Sequence, residues 1–471
     1  MKKLIFCIAL VTTTLTSCSL YKNYERPTDI QTTNLYGEVV ADNAATSSLA
    51  TLDWHDLYTD PNLQALIEKA LAGNADLKIQ EWAIEQAKST RSMKKKAWLP
   101  ELALKPDGGY THIFNRKDSE MSSGEWTYNI PIALNWEFEF WGQQRNNVKM
   151  ADANVLMQRD IQQTVKARLV ANIASMYYQL QALDQVRLIA QEAMSAWDEM
   201  TKTSQAMMDN GMADAISVVQ FKGQSYEIEA SLKDIEHNIT QLELNICTML
   251  GETPHPIVRS AILNSASPEM LRAGLSSELL ANRPDVRQAE RNLMYYYHNE
   301  LVARGEFYPK FNINAQAAFN GNFVLGFLGS LTQPIFARGR IKAGLEIAKA
   351  QYEQAKLAFQ QKLIEAGSEV VLALSRCNTA HDKTISREKQ IEQYFKAVEY
   401  SRIQMANGEA TYLDVLTAQS SLFQTQKALV DDRLEELLGI VNLYLALGGA
   451  ADPVVADQPA TTQPTETQTA N

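Results

Sequence analysis

The most reactive side chains in this 471-residue sequence belong to four cysteines and six histidines, and their placement narrows the available chemistry. No Ser, His and Asp fall into a nucleophile signature, no Gly-rich loop is laid out to cradle phosphate, and no CxxC or other metal-ligand spacing occurs. An enzyme is therefore not expected, nor a metal or a dissociable cofactor. One cysteine stands apart. Cys18 closes the run Leu15-Thr16-Ser17-Cys18, which follows Lys2, Lys3 and an apolar stretch from Leu4 to Leu15. This is the layout of an export signal over residues 1–17, and a thiol at its end is placed for acylation when the signal is removed. Cys7 leaves with the signal. Cys247 and Cys377 lie in strongly helical sequence with no His neighbour and read as buried thiols acting as small apolar side chains.

Leu, two small residues and Cys resemble the lipobox of bacterial lipoproteins, in which the cysteine becomes the first residue of the mature chain. That resemblance implies N-acyl and diacylglycerol lipid on Cys18 and makes 18–59 a lipid-anchored N-terminal segment. Ser19, in place of Asp, fits passage to the outer membrane. The formal net charge of -11 excludes nucleic acid as a partner, because phosphate binding needs a basic surface. No stretch beyond the N-terminus reaches the roughly 18 apolar residues of a spanning helix. A membrane crossing therefore has to use strands.

The strand signal is strongest from Trp126 to Phe140. Trp126, Tyr128, Ile130, Ile132, Leu134, Trp136, Phe138 and Phe140 occupy alternate positions, with Thr127, Asn129, Ala133, Asn135, Glu137 and Glu139 between them. One face is aromatic and greasy, the other wet, over more than twice a usual strand length. A partner strand is expected over about 102–114, with Asn115 to Gly124 as an exposed tip. A second, shorter hairpin is expected over about 311–320 and 322–335. Four strands cannot close a barrel, and an open edge in lipid leaves backbone groups unpaired, so the chain has to oligomerise.

The two hairpins belong to a chain written twice. Asn74-Ala75-Asp76 matches Arg283-Pro284-Asp285 and Trp98-Leu99-Pro100 matches Phe307-Tyr308-Pro309, both at an offset of 209. Phe140-Trp141-Gly142-Gln143-Gln144-Arg145 aligns with Ile335 to Arg340 at an offset of 195, which implies a loss of about fourteen residues between these markers. Asn210-Gly211 and Leu250-Gly251 pair with Asn407-Gly408 and Leu447-Gly448 at 197. The first repeat is assigned to 60–255, the second to 270–450, and 451–471, rich in Thr, Gln and Pro, to a disordered tail. Each repeat reads as helix, hairpin, very long helix, Gly turn and helix, so the fold is mainly α with a β-barrel portion.

From Gln143 to Asp209, and from Lys342 to Asn407 apart from Gly344 and Gly367, nothing stops a helix. Each would run roughly 100 Å at about 1.5 Å per residue. Ile161, Val165, Leu169, Ile173, Met176, Leu180 and Leu183 form a packing stripe. The turns at Gly211 and Gly408 suit the left-handed backbone that divides a helix from its return partner. Beyond the second turn, Thr411 and Asp414 have capping-box spacing, and Asp214 and Glu409 read as helix-end charges. Arg283-Pro284-Asp285 reads as a structural helix start, with Pro in the first turn.

These residues together resemble the TolC family of outer-membrane efflux proteins, in the lipid-anchored branch with OprM, CusC and NodT-like proteins. The resemblance rests on Cys18, Asn282 to Glu290, Phe307-Tyr308-Pro309, Pro334-Ile335-Phe336 through Gly339-Arg340, and Gly408 to Leu422, and covers about residues 18–450. It implies a homotrimer in the outer membrane whose twelve strands close one transmembrane barrel, continued by a periplasmic α-helical tunnel. It also implies a passive exit duct of a tripartite efflux system for small toxic molecules, joined by a periplasmic adaptor (membrane fusion) protein to an inner-membrane pump of RND type. A type I protein-secretion duct and a lipid-anchored coiled coil without a pore are the alternatives. Under the resemblance Asp414 matches an aspartate of the tunnel constriction, with Asp214 and Glu409 adding charge, and the local capping role stands beside that one. The family's second constriction aspartate is here Thr417, and Ser217 occupies the equivalent of Asp414 in the first repeat.

Overall fold

A computed structural model describes residues 23–30, 35, 54–112, 124–138, 141–211, 214–261, 283–319 and 323–449. The signal 1–17, Cys18, both strand tips and the tail 451–471 lie outside the described residues.

The elements follow in two matching series. The short helix α1 (Trp54–Leu57) and α2 (Pro61–Gly73) precede α3 (Ala75–Lys96), the strands β1 (Glu101–Leu104), β2 (Asp107–His112) and β3 (Gly124–Phe138), then α4 (Gln143–Asp209) and α5 (Ala215–Leu250). The second series is α6 (Pro284–Gly305), β4 (Lys310–Phe319), β5 (Phe323–Thr332), α7 (Arg340–Ala406) and α8 (Tyr412–Ala446). α3 and α6 each have 22 residues and α4 and α7 each have 67. The duplication is therefore one of elements as well as motifs.

One marker of the repeat is corrected. Gly142 and Gly339 both take positive φ, +90° and +78°, immediately before their long helices. They are the equivalent pair, and 339 minus 142 gives 197, the offset of the later markers. The two aligned arginines, Arg145 and Arg340, had suggested 195. Twelve residues (209 against 197) are thus missing from the second repeat, all within its shorter hairpin and adjoining turns.

The sheet is antiparallel. β1 and β2 both pair with β3, β3 with β4, and β4 with β5. The single strand expected over 102–114 is interrupted at Lys105-Pro106. Leu104 faces Ile132 and Asp107 faces Asn129, so the register is unchanged across the gap. The ladder fails there because Pro106, and Pro131 opposite Lys105, have no N–H to give. The Lys105 N–H still donates to the Pro131 carbonyl at 3.1 Å. The long strand is described over Gly124–Phe138, starting two residues before the expected 126, and 139–140 of the expected range lie outside the described residues; the last strand stops at Thr332 rather than 335, short of Pro334.

The chain divides into two compact units. One holds the sheet with 74–165 and 285–368; the other holds 38–73, 166–284 and 369–471. In the second, α2 packs on α5, and Gly73 and Gly251 make the close approach possible. A Cβ at Gly73 would run into the Leu250 carbonyl. Its core is built from the expected stripe: Leu169, Ile173 and Leu180 are buried, together with Trp197, Phe221, Val415 and Leu437.

Candidate functional site

The sheet sorts its side chains by face. Opposed residues in an antiparallel ladder point the same way. The register therefore places Leu102, Leu104 and Tyr110 on one face with Trp126, Tyr128, Ile130, Ile132, Leu134 and Trp136. Phe311 and Ile313 of β4 and Phe323, Leu325, Phe327 and Leu331 of β5 continue it. Much of this face is exposed, with Trp126 at 77% and Leu325 at 75%. The other face carries Asp107, Asn129, Asn135, Glu137, Asn312, Asn314, Gln316 and Ser330, with Val324 and Leu328 of β5 as its exposed apolar members. Both outer strands, β1 with β2 on one side and β5 on the other, have a free edge among the described residues.

Aromatic side chains fix the end of the sheet nearest the helices. The Trp136 indole donates to the Trp98 carbonyl at 2.9 Å and the Trp141 indole to the Pro309 carbonyl at 2.9 Å. Trp141 stacks on Tyr308, with ring centroids 4.9 Å apart. These bonds satisfy the polar ends of rings whose bodies lie against apolar surface.

The segment that follows the signal is tied to the same unit. Arg26 donates twice to Glu290 at 2.7 Å and lies over the Phe359 ring, Tyr24 meets Tyr297 edge-on at 5.7 Å, and Lys356 pairs with Asp29. A Cβ at Gly367 would strike the Leu35 carbonyl, so glycine permits the strap to pass. Asn23, this strap's first described residue, is only five residues on from Cys18, with four between them. At about 3.5 Å per residue they span less than about 20 Å.

The tip turns form as the sequence predicts. Gly211 and Gly408 have φ of +74° and +76°. At the second turn the Glu409 N–H donates to the Gln404 carbonyl at 2.8 Å and the Gly408 N–H to the Met405 carbonyl at 3.1 Å, the double bond pattern of a Schellman cap. Asp214 caps α5, accepting from the Ser217 N–H at 3.0 Å. In the second repeat the roles are exchanged: Thr411 is the cap, and Asp414 Oδ2 accepts from its N–H at 2.8 Å and its hydroxyl at 2.7 Å. These bonds hold the Asp414 carboxyl below the usual carboxylate range. Asp214, Glu409 and Asp414 are all exposed, and no hydrogen bond or ion pair joins them among the described residues. Thr417 donates to the Leu413 carbonyl at 2.8 Å.

Two features behind the tips were not evident from sequence. Trp197, Phe221 and Tyr412 form a row of rings with centroids 5.8 and 6.4 Å apart, joining α4, α5 and α8. Between α7 and α8, Asp432, only 2% exposed, receives Lys383 at 2.6 Å and Arg387 at 2.9 Å. Glu435 pairs with Lys383, His381 with Glu436 and Arg433 with Glu388 around it. The two helices approach closely at Gly439, where a Cβ would lie 2.7 Å from Cys377 Sγ.

Both structural cysteines are buried and unbridged. Burial, with the Glu436 charge adding, pushes the Cys377 thiol up to about 11, which leaves it inert. Cys247 does have a His neighbour: His255 Nδ1 lies 3.5 Å from its sulfur. The turn after α5 folds back and brings together residues that the sequence separates by eight. Among the described residues no third ligand joins them into a metal site. Arg283 is buried and donates to the Ala446 carbonyl at 2.7 Å and to Glu369 at 2.5 Å. Arg287 pairs with Asp160 at 2.9 Å and Lys362 with Asp285 at 3.0 Å, so this motif holds helices in place.

Comparison with known proteins agrees with this architecture. The cation efflux system protein CusC of Escherichia coli K12 is 25% identical over 460 residues, covering 95% of this chain and 99% of that one. The solvent efflux pump outer membrane protein SrpC of Pseudomonas putida is 27% identical over 460 residues, covering 92% and 96%. A crystal structure of CusC superposes with a TM-score of 0.80 at 23% identity, covering 92% of this chain and all of the other, which establishes the shared fold. The profile of the outer membrane efflux protein family matches residues 66–252 and 275–449, and with so much of both repeats matched, the chain belongs to that family.

Proposed function

We propose that the protein is the outer-membrane exit duct of a tripartite efflux system and works as a homotrimer. The observation that carries this reading is the four-strand-wide sheet, greasy on one face and mainly polar on the other, whose outer strands pair with no further strand among the described residues. In hydrocarbon each unpaired backbone group costs several kcal/mol, so the edges have to meet other edges. Three copies give twelve strands, a closed barrel with its polar face inward around water.

The rest of the chain fits a passive conduit. Lipid on Cys18, held close by the strap at Asn23 to Ile30, anchors the protein at the periplasmic leaflet. The long helices α4, α5, α7 and α8 continue the bore through the periplasm, where their tip turns meet a periplasmic adaptor and an inner-membrane pump of RND type. Asp414, one from each copy, makes an acidic ring at the constriction that favours cations, with Asp214 and Glu409 adding to its field. CusC is named for cations and SrpC for solvents, and this chain is assigned to small toxic molecules as a class.

Deleting the gene in its host should raise intracellular accumulation of small toxic compounds or metal ions, and the wild-type gene should restore export. A deletion strain that accumulates none of them but fails to secrete a protein substrate would move the assignment to protein secretion.

A further inference from the structure

Pro334-Ile335-Phe336, part of the motif that ends at Gly339-Arg340, takes no part in the duct as described so far. It follows β5 at the helix end of the sheet, and Ile335 and Phe336 are 98% and 86% exposed in the single chain. Two adjacent large apolar side chains so bare at the end of an edge strand mark a surface that something covers. Positive φ at Arg338 (51°) and Gly339 (78°) turns the chain into α7 directly afterwards. At the opposite edge, the turn before β1 presents Trp98 at 39% and Leu99 at 65% exposure. The Leu99 N–H donates to the Lys96 carbonyl at 2.8 Å and the Trp98 carbonyl accepts from Trp136, so that turn too is held in place.

We infer that Ile335 and Phe336 of one copy clasp the Trp98-Leu99-Pro100 turn of the next copy and seal the base of the barrel. The inference rests on the trimeric reading above, and it follows from strand polarity and face. β5 runs toward the helix end of the sheet and β1 away from it, so the two edges join antiparallel. The greasy face takes odd-numbered residues on β5 and even-numbered residues on β1 and β2. Joining them face to face therefore requires each odd residue of β5 to lie opposite an even one.

Two registers do this and leave no β5 residue unpaired: Phe323 opposite Tyr110, or Phe323 opposite His112. The row of residues level with Glu101 runs through Asn135 and Asn314 to Leu328. The next copy's Glu101 then falls opposite Thr332 or residue 334, a stagger of four or six residues per copy. Four strands about 4.8 Å apart, tilted by about 40°, need a stagger of roughly 16 Å, or about five residues. Both registers satisfy this closure. Continued past the strand ends at Thr332 and Glu101, the first register brings Ile335 level with Trp98, and the second brings Ile335 level with Pro100 and Phe336 with Leu99. Rotation of one copy onto the next brings those two edges together.

The test is site-directed crosslinking of the full-length protein in membranes with a short bismaleimide. Leu99→Cys with Phe336→Cys is the clasp pair, and Leu104→Cys with Leu331→Cys reports on the edges alone. The native Cys247 and Cys377 are buried, and single-cysteine variants control for any reaction they give. The expected result is a ladder of dimer and trimer for both pairs, absent from every single variant. Crosslinking of 104 with 331 but not of 99 with 336 would leave the barrel standing and overturn the clasp. If neither pair crosslinks and the detergent-solubilised protein is monomeric, the trimeric reading itself fails.

Discussion

At the scale of single residues, charge and burial give separable predictions. Asp414 combines a helix-start role with an exposed carboxylate, and two substitutions divide them. Asp414→Asn keeps an acceptor for the Thr411 N–H and removes the charge, so bilayer recordings should show weaker cation preference with the tip hairpin intact. Asp414→Ala removes both, and amide exchange at the first turn of α8 should accelerate as well. If Asn and wild type select ions identically, the carboxylate is a cap only. His298 gives a pH signature. It is 3% exposed, its Nδ1 lies 2.9 Å from Asn146 Oδ1, and burial, reinforced by the Lys149 charge against Asp152, lowers its pKa to about 4. Between pH 6.5 and 4 the unfolded chain takes up a proton that the folded chain refuses. Stability should therefore fall as pH drops through that window, by on the order of 2 to 3 kcal/mol, and the dependence should level off below it. Thermal unfolding of wild type and His298→Gln across this range checks it, since the variant should lack that slope.

At the scale of elements, the α7–α8 seam is the part most open to a packing test. Gly439→Ala puts a methyl group against Cys377 Sγ and should destabilise the protein by about 1–3 kcal/mol, the range for overpacking a tight contact. Adding Cys377→Ala should recover part of the loss, as a lower unfolding midpoint for the single variant than for the double. Asp432→Ala takes away a buried acceptor but leaves Lys383 and Arg387 partly in water, so its cost should be about 1–3 kcal/mol. A midpoint unchanged by that substitution would show that the ion cluster is incidental to the seam.

Much of this level was readable from the sequence. Alternation at Trp126 to Phe138 gave the strand and its greasy face, because period two is imposed by the pleat. Helix lengths followed from the absence of Pro, with no Gly inside α4 and only Gly344 and Gly367 inside α7, and the turns followed from glycines that take left-handed backbone. What stayed hidden depends on contacts between distant residues. The pairing of Asp432 with Lys383 and Arg387 requires α7 and α8 to be antiparallel in one register. His255 meets Cys247 only because the chain reverses after Gly251. The break at Lys105-Pro106 could have been read, since prolines at adjacent rungs of a ladder, Pro106 on one strand and Pro131 on the other, remove two donors. At the start of α4 the matching side chains Arg145 and Arg340 point to one offset and the backbone demand at Gly142 and Gly339 to another, and the backbone sets the equivalence.

For the whole molecule, an amphipathic sheet whose outer strands pair with no further strand among the described residues calls for closure by copies of itself. The family assignment and the fold agree with that closure. Conductance of the purified full-length protein in planar bilayers tests the claim most directly, with wild type and Asp414→Ala measured side by side so that a tightly shut gate is not mistaken for a missing pore. The account predicts discrete channels that favour cations in the wild type and open more often or select less in the variant. Folded protein that gives no channels in either form would contradict it.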